Sequence, residues 1–367
     1  MNKTTKKQLR KMGTAMLAAG ILLGGVNVAA HTTEAAAAKA AAPAPAQKTV
    51  VLKYNGKIVS SQGVYRDGKV WVPVTFLRDT LGMPLSYSKA DTTYTLGQGY
   101  MKTKLIVSPY DISITVNDFF LLEYNAMMDN NRLYVPVGLL SDYLGYKADW
   151  DAASGRVNVL KKAQNALTVT TATYAKDYPK APIKLDYPQI SGLANSEAEK
   201  LINNTIKQTI MNYAANAEAE ISNMDPQYNP YEFDGTYIIK YNQDGVLSLV
   251  LSDYGYTGGA HGNTVWNAFT FSLKDGKRLL LGDLFGANSN YKKTLNSLLS
   301  KDLKANGGYL GGFVGLNTEK QFFLQDGKVT VFFQPYEYTA YAAGFPQYSY
   351  TFKQLLPGGQ SPFASLK

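Results

Sequence analysis

The chain has no cysteine, and only two of its 367 residues are histidine. Without cysteine there are no disulfides, so stability must come from burial, and no lipid-modified N-terminal cysteine is available. His261 is the single histidine beyond His31, which lies close to the N-terminus. A zinc site needs three or four ligands, and here it would find no second nitrogen donor in the folded part of the chain. A Ser-His-Asp arrangement of His261 with Asp253 is formally open, but no G-x-S-x-G pattern accompanies it. Excess charge is also scarce. Removing residues 1–30 takes away five positive charges and no negative ones, so the formal charge falls from +9 to +4. That balance allows loose attraction to anionic wall polymers and does not argue for nucleic acid.

Residues 1–30 have the pattern of an export signal. Lys3, Lys6, Lys7, Arg10 and Lys11 precede an uncharged stretch over 12–28, and Val28-Ala29-Ala30 offers small residues at a cleavage site. The uncleaved alternative is a membrane anchor, but the stretch is rich in Gly and Ala and near the lower length limit for spanning. A cysteine-free exported protein fits a Gram-positive envelope, secreted or wall-associated. Residues 31–48 form an Ala/Pro-rich spacer. Cleavage after Ala30 would make His31 the N-terminus. It could then chelate copper through its amine and ring, but it has no fixed second ligand. No cofactor or metal is expected.

Residues 49–162 contain a duplication in which 67–96 align without a gap on 130–159. Trp71-Val-Pro-Val74 meets Tyr134-Val-Pro-Val137, and Leu77, Asp79, Leu81 and Gly82 meet Leu140, Asp142, Leu144 and Gly145. Each copy predicts a turn, a strand ended by Pro73 or Pro136, a short helix over 75–81 or 138–144, and closing strands, near 85–87 and 94–96 in the first copy. Gly82 and Gly145 stop the helices. This pattern resembles the stalk domain named after the N-terminal domain of copper amine oxidase. The resemblance implies a spacer or attachment module. In the oxidase the copper and quinone belong to another domain. Trp71, Tyr87, Tyr134 and Trp150 could stack on sugars, but their repeated places inside strands point to a core.

Residues 165–360 read as one α+β domain. Strands are expected over 167–174, 183–190, 235–243, 246–254, 267–273, 322–324 and 328–333. A long helix starts at Asn195 or Ser196, with Leu201, Ile202, Ile206, Thr209, Ile210 and Tyr213 on its apolar face. A second helix over 290–304 turns Leu295, Leu298, Leu299 and Leu303 inward and ends at Asn306-Gly-Gly308. The expectation is an antiparallel sheet with two helices packed on one face.

Two blocks in this half carry the functional signal. Tyr256-Thr-Gly-Gly-Ala-His-Gly-Asn263 is a loop in which Gly258 and Gly259 allow left-handed turns and close approach to a partner. Its bland reading is a tight loop whose His261 bonds its own backbone. The second block, from Phe333 to Pro346, carries Tyr336, Glu337, Tyr338 and Tyr341. It is either strand-end packing or an exposed aromatic ridge, to which Tyr228, Tyr231, Tyr254 and Tyr256 could add. With the Tyr187-Pro-Gln-Ile-Ser-Gly-Leu193 lead into the long helix, these blocks resemble the extracellular domain shared by the lysozyme-sensing anti-sigma factor RsiV and the deacetylase PdaC. The resemblance implies a non-catalytic binding module. Its ligand would be lysozyme or another protein, or peptidoglycan.

Three functions are therefore weighed. The first is an exported, wall-associated binding protein and not an enzyme. Only eleven residues precede the apolar stretch, so no cytoplasmic sigma-binding segment is expected. The second is a peptidoglycan-modifying enzyme using Glu232, Asp234, Asp253 or Glu337, whose required separation a sequence does not show. The separate catalytic domain of PdaC is absent from this sequence. The third is a structural spacer.

Overall fold

The computed structural model describes residues 47–224 and 230–366. The export segment, most of the spacer, His31 and Tyr228 lie outside the described residues. Among the described residues no helix is long and apolar enough to cross a membrane.

Val72 and Val135 face each other at the centre of the first half. The first copy supplies β1 (Lys48–Tyr54), β2 (Lys57–Arg66), β3 (Lys69–Pro73), α1 (Val74–Asp79), β4 (Leu85–Ser88) and β5 (Thr93–Leu96). After β6 (Thr103–Val107), the second copy supplies β7 (Ile112–Val116), β8 (Phe119–Asp129), β9 (Arg132–Pro136), α2 (Val137–Asp142), β10 (Tyr146–Asp151) and β11 (Arg156–Lys161). Pairing of Trp71 with Pro136, Val72 with Val135 and Pro73 with Tyr134 joins β3 to β9, so equivalent residues pair across a pseudo-dyad. Each proline ends its strand and starts the following helix, because it fixes φ and donates no hydrogen bond. The closing hairpins are exchanged. The sheet order β10-β11-β1-β2-β3-β9-β8-β7-β6-β5-β4 places the second copy's last strands beside β1 and the first copy's beyond β6. The helices stop as expected, with Gly82 and Gly145 at φ 72° and 75°. Tyr134 is buried, and Trp150 stacks on Tyr65 at 5.7 Å. Tyr87 corrects the expectation of a core aromatic: it is 51% exposed, beside Tyr94 near the sheet edge.

The second half is α+β. Its main sheet has the order β12 (Thr168–Tyr178), β13 (Ala181–Ser191), β14 (Glu232–Gln243), β15 (Val246–Tyr256), β16 (Asn263–Ser272). The β13–β14 pair is parallel, because α3 (Ser196–Ser222) crosses between them. Asn195 caps α3 by accepting from the backbone N–H groups of Glu197 and Ala198. Ile202, Ile206, Ile210, Ala214 and Ala217 form its buried stripe. Leu201, expected on that stripe, is half exposed. Next come α4 (Leu281–Phe285), α5 (Tyr291–Ala305), a three-stranded sheet of β17 (Phe322–Gln325), β18 (Lys328–Phe332) and β19 (Gln347–Thr351), and α6 (Phe352–Leu355). Helices α3 and α5 lie in separate apolar clusters. Helix α5 ends without a left-handed glycine; Asn306 is extended and its Oδ1 accepts from the Gly308 N–H at 2.9 Å.

Both faces of the main sheet are apolar. Tyr237, Leu249, Leu251 and Phe269 face α3. Ile238, Val250, Trp266 and Ala268 share one core with Phe323, Phe332 and the first half. Lys240 is buried at this junction. Its ammonium donates to the Tyr143 hydroxyl at 2.7 Å and lies over the rings of Tyr143 and Phe323. The Tyr143 hydroxyl in turn donates to Glu123. Burial lowers the Lys240 pKa, and the Glu123 and Asp142 carboxylates oppose the shift.

The shared core predicts one cooperative unfolding transition for the two halves. A 165–367 fragment should bind a hydrophobic dye and lose resistance to urea, because Trp266 and Ile238 lose their cover. Tyr143→Phe should cost roughly 2–4 kcal/mol by stranding a buried ammonium. Adding Lys240→Met should recover most of that loss in a urea-unfolding double-mutant cycle.

Candidate functional site

The two sequence blocks meet because a side chain joins them. β16 is the last strand of the main sheet. The Gln334 amide closes on the backbone of Trp266 in that strand, donating to its carbonyl at 2.7 Å and accepting from its N–H at 3.1 Å. Phe345 stacks on the Trp266 ring at 3.9 Å and 5°. The segment between Gln334 and Phe345 is thus pinned at both ends beside the glycine loop.

The loop follows from its glycines. Gly258 and Gly259 take φ 83° and 124°. A Cβ on Gly262 would fall 2.3–2.4 Å from the Tyr254 ring, so that ring lies flat on the backbone there. The Tyr256 hydroxyl donates to the Gly259 carbonyl at 3.0 Å. In the second block, Tyr336 takes φ 68° although it is not glycine, a conformation costing of order 1 kcal/mol or more. The Glu337 carboxylate accepts from the Gln334 N–H at 3.0 Å and the Gln321 amide at 3.1 Å, which holds that turn.

Three rings result. His261 stacks on Tyr341 at 4.0 Å and 16°, and Tyr336 on Tyr341 at 5.5 Å and 30°. The Tyr341 hydroxyl donates to the Gly262 carbonyl at 2.8 Å. His261 Nδ1 lies 2.8 Å from the same carbonyl, which only accepts, so this nitrogen carries a hydrogen. Nε2 is 3.4 Å from the Tyr336 hydroxyl. Tyr336 is 59% exposed. The result is an exposed aromatic ledge with its inner polar atoms bonded to backbone. Such a ledge can stack on a flat apolar ligand face or fill a partner's pocket.

Among the other candidates, Tyr338 points inward, edge-on to Phe313 and Phe333, and is no part of the ledge. The reason is register, since it packs on the α5 cluster. The four candidate carboxylates do not converge: Glu232 and Asp234 are neighbours, and Asp253 and Glu337 lie apart from them. Asp253 lies on the α3 side of the sheet with Leu251, and Asp234 alternates with Phe233 onto the other side. Partial burial, and then the neighbouring Asp234, push the Glu232 carboxyl up to about 7. Burial pushes Asp253 up to about 7, against the Asn267 hydrogen bond. Its Oδ1 has no hydrogen-bond partner. No cluster of three His, Asp or Glu able to hold a metal occurs among the described residues. Trp266, Gln334 and Phe345, which assemble the ledge, were missed in the sequence. Gln334 and Phe345 sit just inside the ends of the second block, and Trp266 lies three residues past the first.

Three family models match parts of the chain. The copper amine oxidase N-terminal domain matches residues 53–159 and 115–175. Deacetylase PdaC matches residues 158–264, and the protein of unknown function DUF3298 matches residues 282–350. The chain joins a copper amine oxidase N-terminal-like segment to a PdaC- and DUF3298-like one. His261 falls in the PdaC match, and Tyr336 and Tyr341 in the DUF3298 match, so the ledge forms where these two segments meet. A DUF3298 family protein from Bacteroides fragilis is 17% identical, with TM-score 0.41, covering 56% of this chain and 99% of its own. One from Pseudomonas aeruginosa is 14% identical, with TM-score 0.40, covering 53% and 94%. Comparison with curated proteins gives no match.

Gly262→Ala should disrupt the ledge, because the added methyl meets the Tyr254 ring; loss of the His261 and Tyr341 ring-current shifts in NMR would report it. For Asp253, the folded pKa near 7 lies above an unfolded value of about 3.9. Stability is therefore intact below about pH 4 and falls as pH rises toward 7. Asp253→Asn should remove that slope and raise stability at pH 8 by up to roughly 4 kcal/mol, read by urea unfolding across pH.

Proposed function

We propose that this protein is an exported, wall-associated binding protein whose ligand docks on the His261–Tyr341–Tyr336 ledge. The PdaC and DUF3298 matches support an envelope-associated domain. The observation that carries the binding role is Tyr336, an exposed aromatic residue held at positive φ by a turn that Gln334 and Glu337 close. Strain of this kind persists where the surrounding structure fixes it, and function is the common reason. The ligand proposed first is an animal lysozyme, from the resemblance to the lysozyme-sensing extracellular domain; peptidoglycan is the second.

The binding reading is favoured over wall-modifying catalysis by the positions of the carboxylates. Glu337 is engaged by two donors, and Asp253 is buried on the opposite side of the sheet from Asp234. The catalytic alternative keeps one clear test. Wall-degrading or deacetylating activity of the purified chain that disappears in Glu337→Gln would replace the binding reading.

The binding test uses the whole chain, since the two halves share a core. Calorimetry should show micromolar or tighter binding to lysozyme at moderate salt. Tyr336→Gly should weaken it at least tenfold while the melting temperature holds or rises, because glycine relieves the positive φ. Retention on purified peptidoglycan without lysozyme binding would make the wall polymer the ligand. Failure with both would sink the proposal.

A further inference from the structure

The two copies in the first half are not equal. In the first copy, Val51 pairs with Gln62 and Lys53 with Ile58, so Leu52 opposes three residues of β2. In the second, Ser113 pairs with Asn125 and Thr115 with Phe120, so Ile114 opposes four residues of β8. The second bulge holds one extra residue. Bulges of this kind re-aim side chains and occur beside functional sites.

Beside the enlarged bulge lies a cleft of about 240 Å³ between β8, β3 and β9. Its apolar lining is Trp71, Tyr124, Pro136 and the exposed Leu122. The polar tips of both aromatics are turned away: Trp71 Nε1 donates to the Arg66 carbonyl at 3.4 Å, and the Tyr124 hydroxyl donates to Asp142 at 2.6 Å. What they offer to the cleft is therefore ring carbon. Lys69, Glu123 and Asn125 form its rim and are exposed. Tyr124 fits only because Gly138 has no side chain, since a Cβ there would lie 2.3 Å from the Tyr124 hydroxyl. At the place related to it by the pseudo-dyad, Ser61 stands for Tyr124, Thr75 for Gly138 and the buried Tyr134 for Trp71. The repeat fold does not require this cleft, because the place related by the pseudo-dyad is built without its parts.

We infer that this cleft is a second binding site, distinct from the ledge, and that it takes a pyranose ring of a glycan. An aromatic floor suits the C–H face of a sugar, and a rim of ammonium, carboxylate and carboxamide suits hydroxyls that both donate and accept. A phosphate would meet the Glu123 carboxylate, and a wholly apolar ligand would make no use of the polar rim. The volume holds about one ring of a chain, somewhat below the usual range for larger ligands. Glu123 also accepts from Tyr143, which receives the Lys240 ammonium, so the rim is braced from the junction of the two halves.

The test titrates the whole chain with two β-linked tetrasaccharides, one of N-acetylglucosamine and one of glucose. Trp150 stacks on Tyr65 and Trp266 on Phe345, so Trp71 is the indole at the cleft. Binding of either sugar should change tryptophan emission. Trp71→Phe should abolish that change while calorimetry still detects binding. Asn125→Ala and Lys69→Ala, both at exposed positions, should each weaken affinity at least fivefold. The sugar that binds identifies the glycan. Tyr336→Gly should leave this binding intact, so the cleft and the ledge can fail separately. No heat or emission change with either sugar at millimolar concentration, unchanged affinity in both rim variants, or loss of binding in Tyr336→Gly would each overturn the site.

Discussion

The constraint on which the structure depends is the apolar character of both faces of one small sheet. Tyr237, Leu249 and Phe269 need cover on one side, and α3 supplies it. Ile238, Val250, Trp266 and Ala268 need it on the other, and the duplicated half supplies it together with Phe323 and Phe332. Burial of this kind is the main source of stability in a chain with no disulfides. It turns what looks like an attachment module followed by a binding module into one folded body. Lys240 shows how closely the halves are fitted. A buried ammonium is costly, and it is tolerated here inside a set of aromatic rings with one hydroxyl acceptor leading to a carboxylate.

The same sheet builds the ledge. Trp266 points into the shared core, and its backbone on the last strand is open to the Gln334 amide. The segment that follows is thereby laid along the glycine loop, and His261, Tyr341 and Tyr336 come into contact. Leu122 of β8 reaches the turn after Tyr341, where a Cβ on Gly344 would lie 3.4 Å from its Cδ1. Leu122 also lines the cleft of the first half, so the ledge and the cleft are neighbours. A module that covers a core face and also presents a ligand site has two reasons to stay attached.

Much of this was legible from local pattern. The repeat, its proline-ended strands, its glycine-stopped helices and the Asn195 cap follow from conformational rules acting over a few residues. Tyr87 departs from the expected core position because strand alternation defines two faces but not which of them a neighbour covers at a sheet edge. Leu201 falls outside the buried stripe because α3 packs through Ile202, Ile206, Ile210, Ala214 and Ala217, a narrower face than the apolar spacing suggests. The eight residues singled out in the two blocks included the three that form the ledge. Nothing local distinguishes Tyr336, which is presented outward, from Tyr338, which turns inward and is half-buried two positions later.

The sequence by itself determined the duplication, the α+β character of the second half and the two blocks that meet at the ledge, because each is written in short-range spacing. The tertiary structure decided how the pieces combine. Exchange of the closing hairpins, burial of Lys240, capture of Trp266 by Gln334 and the extra residue in the β8 bulge all depend on contacts between residues far apart in the chain. Such contacts are set by which apolar faces are left to cover once the local elements have formed, and that is a property of the assembled molecule.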